Sequence, residues 1–81
     1  EAYRVAAEDA EAVGSPRGAS YAWGYLGRLY EFDRQDEAAL ELTRRAILAG
    51  QQAAAPDALY RWHWQEGRLF AKVGHYPDAL S

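Results

Sequence analysis

Gly27-Arg28-Leu29-Tyr30 returns at an offset of forty as Gly67-Arg68-Leu69-Phe70, and that echo decides the fold. Working outward at the same offset, Pro16 matches Pro56, and Ala39-Leu40 matches Ala79-Leu80. A period of this size belongs to stacked supersecondary units, none of which can bury its apolar face alone. Glycine inside a helix costs about 1 kcal/mol relative to alanine, so a repeated one needs a compensating role. Close approach of two helix backbones supplies it. Ala39 and Ala79 fall where a facing helix would meet Gly27 and Gly67, while Tyr30 and Phe70 fill the space one turn on. The pattern predicts an all-α chain of antiparallel helical hairpins.

The flanking sequence fits that prediction. Ala2 to Val13 is rich in helix formers, and Val5, Ala6, Ala10 and Val13 are expected to share one buried side. Gly14-Ser15-Pro16 stops this helix, with Gly14 as the C-terminal cap and Pro16 opening the next. A second helix is expected from about Arg17 to Phe32, burying Ala19, Ala22, Trp23, Leu26, Leu29 and Tyr30. Asp33-Arg34-Gln35 reads as a polar turn with Asp36 as N-cap. From Glu37 to about Ala49 the period continues through Ala39, Leu40, Thr43, Ala46 and Ile47, and Gly50 ends it. A fourth helix is expected from Asp57 to Val73, with Trp62, Leu69, Phe70 and Val73 inward. Gly74-His75-Tyr76 then reads as a turn and Pro77 as the start of a last, truncated helix. Few residues are β-branched and no stretch alternates as a strand would.

Composition narrows the function classes. The 81 residues suffice for one small domain. A formal charge of -3 and a pI near 5.2 argue against a nucleic-acid surface, which needs a concentrated basic face. No apolar run approaches the roughly 20 residues that span a bilayer, and no signal-like segment opens the chain. The absence of cysteine excludes disulfides, thiolate metal sites and a cysteine nucleophile from this stretch. A cytoplasmic location without membrane contact or cofactor is expected. The start at Glu1 without methionine, and a helix opening just before Ser81, suggest cuts through a larger array. The expected layout is one unit over 1–81: residues 1–14 as the second helix of a preceding repeat, 16–50 as the first full repeat, and 56–81 as a second, truncated one.

These positions resemble the tetratricopeptide repeat. Trp23, Leu26, Gly27, Tyr30, Ala39 and Ala46 sit at that family's Trp, Leu, Gly, Tyr, Ala and Ala signature positions. Gly67, Phe70, Gly74, Tyr76 and Ala79 fit the corresponding Gly, Tyr, Gly, Tyr and Ala of the next repeat. The resemblance implies a right-handed solenoid of helical hairpins and a non-catalytic, protein- or peptide-binding scaffold. Departures are a period of forty where the family has 34, and His63 and Glu66 in place of the signature Trp and Leu. A narrower resemblance runs through Ala55-Pro56-Asp57-Ala58-Leu59-Tyr60-Arg61-Trp62-His63-Trp64-Gln65-Glu66-Gly67-Arg68-Leu69, which is similar to repeat segments of bacterial CHAT-domain proteins. That implies an alternative role as the sensing arm of a larger protease. A further alternative is the effector-binding repeat region of a transcriptional regulator.

The family geometry implies a concave groove lined by Tyr21, Gly24, Arg28 and Glu31 from one repeat and by Arg61, Trp64, Arg68 and Lys72 from the next. Arginine forks pair with carboxylates through two parallel hydrogen bonds, so Arg61, Arg68 and Lys72 suit an acidic peptide. Equally, the same cations can pair locally with Glu31, Asp57 or Glu66 as a solvated edge. Trp64 reads either as an anchor for a partner or as packing against a further repeat. His63 and His75 straddle a helix end with no third ligand at a metal-binding spacing; His63 is expected to be packed or hydrogen-bonded, and His75 to sit in a turn. No catalytic set can be assembled. Because about three repeats are needed to bury enough surface, self-association through open repeat ends is also expected.

Overall fold

A computed structural model describes the backbone of residues 2–80 and the side chains of residues 2–74. Four helices follow one another: α1 (Ala2–Ala12), α2 (Pro16–Phe32), α3 (Asp36–Gln52) and α4 (Pro56–Leu80). The chain is all-α, with no strand among the described residues.

Three turns of one design join these helices. Gly14, Arg34 and Ala54 each take a left-handed backbone, with φ of 73°, 60° and 50°. In each turn that residue's N–H bonds the carbonyl three back, and the following N–H bonds the carbonyl five back. This pair of bonds satisfies carbonyls that a helix end leaves orphaned. The residue after the left-handed one then accepts the first bond of the next helix: Ser15 from Ala19, Gln35 from Ala39, Ala55 from Leu59. Each reversal therefore takes the same number of residues, and helices begin at 16, 36 and 56. Glycine adopts this conformation freely at 14. Arg34 and Ala54 do so at a steric cost of roughly 1–2 kcal/mol each.

Contacts along the chain fix the directions of the helices. Gly27 lies against Ala39, and Ser20 against Ala46 and Gly50, so α2 and α3 are antiparallel. Gly50 lies against Leu59 and Thr43 bonds Gln65, so α3 and α4 are antiparallel too. Gly24 faces Trp62 and Glu31 faces Arg68, so α2 and α4 run parallel. Trp23 and Leu26 of α2, Leu42, Ala46 and Ile47 of α3, and Ala58 and Trp62 of α4 form the main core. Ala39, Leu40 and Leu69 form a smaller one, with Tyr30 and Val73 packed on it.

Two mid-helix glycines explain how closely the helices approach. A Cβ at Gly27 would lie 2.8 Å from Thr43 Oγ1 and 3.1 Å from the Ala39 carbonyl oxygen, so the Gly27–Ala39 contact forms as the spacing predicts. A Cβ at Gly24 would collide with the Trp62 indole. Polar relays tie the same layer together. Trp62 Nε1 donates to Ser20 Oγ (3.1 Å), which donates to the Ala46 carbonyl (2.7 Å). Gln65 Nε2 donates to the Gly24 carbonyl (3.0 Å) and to Thr43 Oγ1 (2.8 Å), which donates to the Ala39 carbonyl (2.8 Å). No buried side-chain polar atom among the described residues lacks a partner, which removes the desolvation penalty that buried polar groups otherwise carry.

Several sequence expectations need correction. The buried side of α1 is Ala7, with Ala10 packed beside it; Val5 is 54% exposed, Val13 79%, and Ala6 is also outside. The Val5 stripe is apolar but faces away from α2. Leu29 and Phe70 are exposed as well. Gly50 does not end α3; it lies inside the helix, where its missing side chain makes room for Ser20 and Leu59. Asp36 is the first helical residue rather than the cap, which is Gln35 and makes no side-chain cap bond. The turn expected at Gly74-His75-Tyr76 is absent, because α4 runs unbroken through Pro77 to Leu80. Helix nucleation is unfavourable, so extending an existing helix is favoured over starting a new one. A Cβ at Gly67 would meet nothing within 4 Å outside its own helix backbone among the described residues. The Tyr76 and Ala79 side chains, and that of His75, lie outside the described residues.

Candidate functional site

Because α2 and α4 run parallel, the outward faces of both border one open cavity of about 830 Å³. Arg28, Glu31 and Phe32 reach it from α2, three residues a helical turn brings to one side. Arg34 reaches it from the turn that follows. Arg61, Trp64, Arg68 and Lys72 come from α4 at intervals of three and four, a single stripe along that helix. Asp57, Tyr60 and Gln65 complete the wall.

Six of the eight sequence-named groove residues thus line one cavity: Arg28, Glu31, Arg61, Trp64, Arg68 and Lys72. Tyr21 does not. Its ring packs edge-on to Trp62, and its hydroxyl donates to Asp57 Oδ2 at 2.8 Å. Gly24 is not on the surface either, since the Trp62 indole covers it. His63 is exposed, with Nδ1 3.5 Å from Glu66 Oε1. Glu66 also accepts from Arg44 Nε at 3.4 Å.

The electrostatics of the cavity centre on Glu31. Arg68 donates to both its oxygens, Nε to Oε2 at 2.8 Å and Nη2 to Oε1 at 2.7 Å. Lys72 Nζ donates to Oε2 at 2.8 Å. The Arg68 hydrogen bonds are the main cause of a Glu31 pKa of about 2; burial opposes them, and Lys72 reinforces them. The same bonds raise Arg68 further above its ordinary value. The local pairing that the sequence leaves open is therefore present for these two cations. At the other end, the Tyr21 hydrogen bond holds the Asp57 carboxyl low and raises the Tyr21 hydroxyl. Arg17 Nη2 donates to the same Asp57 oxygen at 2.8 Å.

The remaining cations are less engaged. Arg61 Nη1 donates to Tyr25 Oη at 3.1 Å and its guanidinium lies over the Tyr25 and Trp62 rings. Arg28 and Arg34 make no ion pair among the described residues. The cavity therefore sets five cationic side chains against two carboxylates, in a chain whose net charge is -3. Beside them stand three accessible aromatics: Phe32 at 82% exposure, Tyr60 at 69% and Trp64 at 65%. Sequence reading missed Phe32, Arg34 and Tyr60 as wall residues. Helical spacing holds the signal for two of them, Phe32 four after Arg28 and Tyr60 four before Trp64. Nothing comparable marks Arg34, whose place follows from the turn.

No helix among the described residues is long and apolar enough to cross a membrane. No protein-family model, curated protein or solved structure matches the chain.

Proposed function

We propose that the chain is a non-catalytic scaffold of tetratricopeptide-like hairpins, stacked as a solenoid, whose groove between α2 and α4 binds an acidic segment of a partner protein. The observation that carries this reading is the cavity's excess of cations beside exposed aromatic rings, against a net acidic chain. Arg28 and Arg34 offer guanidinium forks without a competing carboxylate, and such forks suit carboxylates through paired hydrogen bonds. Phe32, Tyr60 and Trp64 provide large contact area at small cost in side-chain entropy, as interface anchors do. The Glu31–Arg68–Lys72 cluster ties the α2 wall to the α4 wall before any ligand arrives, which lowers the ordering cost of binding.

The test is a titration of the chain with a synthetic peptide of alternating acidic and leucine residues, followed by tryptophan fluorescence. Trp64 stands in the cavity wall while Trp23 and Trp62 are buried, so binding is expected to change the Trp64 emission. The affinity should fall with added salt and drop at least about tenfold in an Arg28→Glu/Arg34→Glu variant, since close charge pairs at an interface carry more than about 1.4 kcal/mol. Binding that ignores both salt and the charge reversal would overturn the assignment, as would no binding at all.

A further inference from the structure

Arg28 and Arg68 hold the same position of the two repeats at the forty-residue offset, and both line the cavity between α2 and α4. Their guanidinium forks are in opposite states. Arg28 makes no ion pair among the described residues. Arg68 instead directs Nε and Nη2 at the two oxygens of Glu31, at 2.8 and 2.7 Å. Lys72 Nζ adds a third bond to the same carboxylate, at 2.8 Å. The Glu31 side chain is only 10% exposed, while both cations that hold it are nearly half exposed. The repeat itself does not call for this acid, since α4 has Ala71 at the equivalent place. Apolar surface stands close by. Phe32 follows Glu31 in the chain, Trp64 lies one turn before Arg68, and both are exposed in the same cavity wall.

Resting on the groove reading, we infer that Glu31 is an internal ligand that decides which acidic segments the groove takes: those whose acidic residues are separated by apolar ones, not continuous acidic runs. Arg28 keeps its fork for an acid of the partner. At the Arg68 position the edge formed by Nε and Nη2 is already filled by a carboxylate, and such an edge holds one carboxylate at a time. A second acid brought there would stand beside Glu31, and like charges set together at an interface repel. The Glu31–Arg68–Lys72 cluster keeps one net positive charge, but on half-exposed groups, where water and salt weaken it. An apolar side chain at that level is not repelled by Glu31 and gains contact with Phe32 and Trp64. Without Glu31, the two equivalent arginines would form a ladder suited to successive acids. With it, one rung is filled from within the chain.

Two peptides of equal length test this, the alternating acidic–leucine peptide and polyglutamate, each titrated at neutral pH against tryptophan fluorescence. A groove that is merely cationic prefers polyglutamate, the more charged of the two. The unaltered chain is expected to bind the acidic–leucine peptide at least about fivefold more tightly, since an apolar anchor carries that much. Glu31→Gln keeps the side chain's size and withdraws its charge from Arg68 and Lys72. In that variant polyglutamate should tighten about fivefold, the most that a half-exposed ion pair carries, and the acidic–leucine peptide by clearly less. Glu41→Gln removes the same charge from an exposed site outside the cavity and should change neither affinity. Circular dichroism should show both variants as helical as the parent, and the comparison of peptides on the unaltered chain needs no variant. Polyglutamate binding the parent as tightly as the acidic–leucine peptide would overturn the inference and leave the groove reading in place. So would a preference that Glu31→Gln leaves unchanged, or that Glu41→Gln shifts as far. A parent that binds neither peptide would remove the groove reading, and the role of Glu31 with it.

Discussion

α2 and α4 hold the same place in the repeat and sit in different surroundings. α2 is enclosed by α1, α3 and α4, and its Trp23, Gly24 and Gly27 are all buried. α4 is covered on one side only, and its counterparts His63, Trp64 and Gly67 face outward. Gly27 and Gly67 carry the same local sequence, yet one sits beneath a neighbouring helix and the other has open space. A repeat signature therefore encodes a pairing surface. Whether that surface is buried depends on what stands opposite it.

The largest expected contrast is between neighbouring tryptophans on α4. Trp62 is fully buried against Gly24 and Ser20, so Trp62→Ala should lose about 3–5 kcal/mol in urea unfolding. Trp64→Ala, at an exposed site, should stay within about 0.5 kcal/mol. Similar losses for both would mean that α4 is not open on that side.

The glycines come next. Gly27→Ala forces a Cβ against Thr43 Oγ1 and the Ala39 carbonyl, and overpacking of this kind costs about 1–3 kcal/mol. At Gly67 the same change meets nothing and should raise stability by up to about 1 kcal/mol through helix propensity. Opposite signs in a thermal melt confirm the comparison, and equal signs break it.

The smallest effect concerns pH. Glu31 falls from its ordinary 4.5 to about 2 in the folded chain, while α4 has Ala71 at the equivalent place. A depressed carboxylate stabilises fully above its unfolded pKa, and that contribution fades as pH drops from 4.5 towards 2. Arg68 and Lys72 are nearly half exposed, so solvent screening should hold the effect to about 1 kcal/mol. Glu31→Gln should flatten the stability profile in that window. A variant with an unchanged slope would place the acid sensitivity elsewhere.

How much of this was legible in the sequence follows from the same contrast. The first three helices and the start of the fourth, the Gly27–Ala39 approach and the inward course of Trp23, Leu26, Ala46 and Leu69 follow from period and residue size, which act locally; the break expected at Gly74 does not occur. The faces of α1 and of the outer half of α4 do not, because an apolar stripe such as Val5, Ala6 and Val13 names a surface without naming its neighbour. Gln65 went unnoticed since an amide in a helix reads as exterior; only the Gly24 carbonyl and Thr43 hydroxyl opposite it make it interior. Gly50 misled for a related reason, as a helix stop and a close contact call for the same residue. The left-handed turns at Arg34 and Ala54 carry no glycine to announce them. In the groove, the resembled family's geometry named six helical residues but passed over Phe32 and Tyr60, which are also helical, and Arg34 on its turn.

The equal stride of the three turns also sets what changes of length the chain can absorb. One residue inserted within α2 or α3 rotates everything downstream by about 100° and advances it about 1.5 Å. That would carry Trp62 away from Gly24 and Gln65 away from Thr43 together. Extra residues are harmless only where they leave the helical phase unchanged, at the exposed tips around Arg34 and Ala54. Loops for purification or labelling belong there, and the interior of each helix has a reading frame of its own.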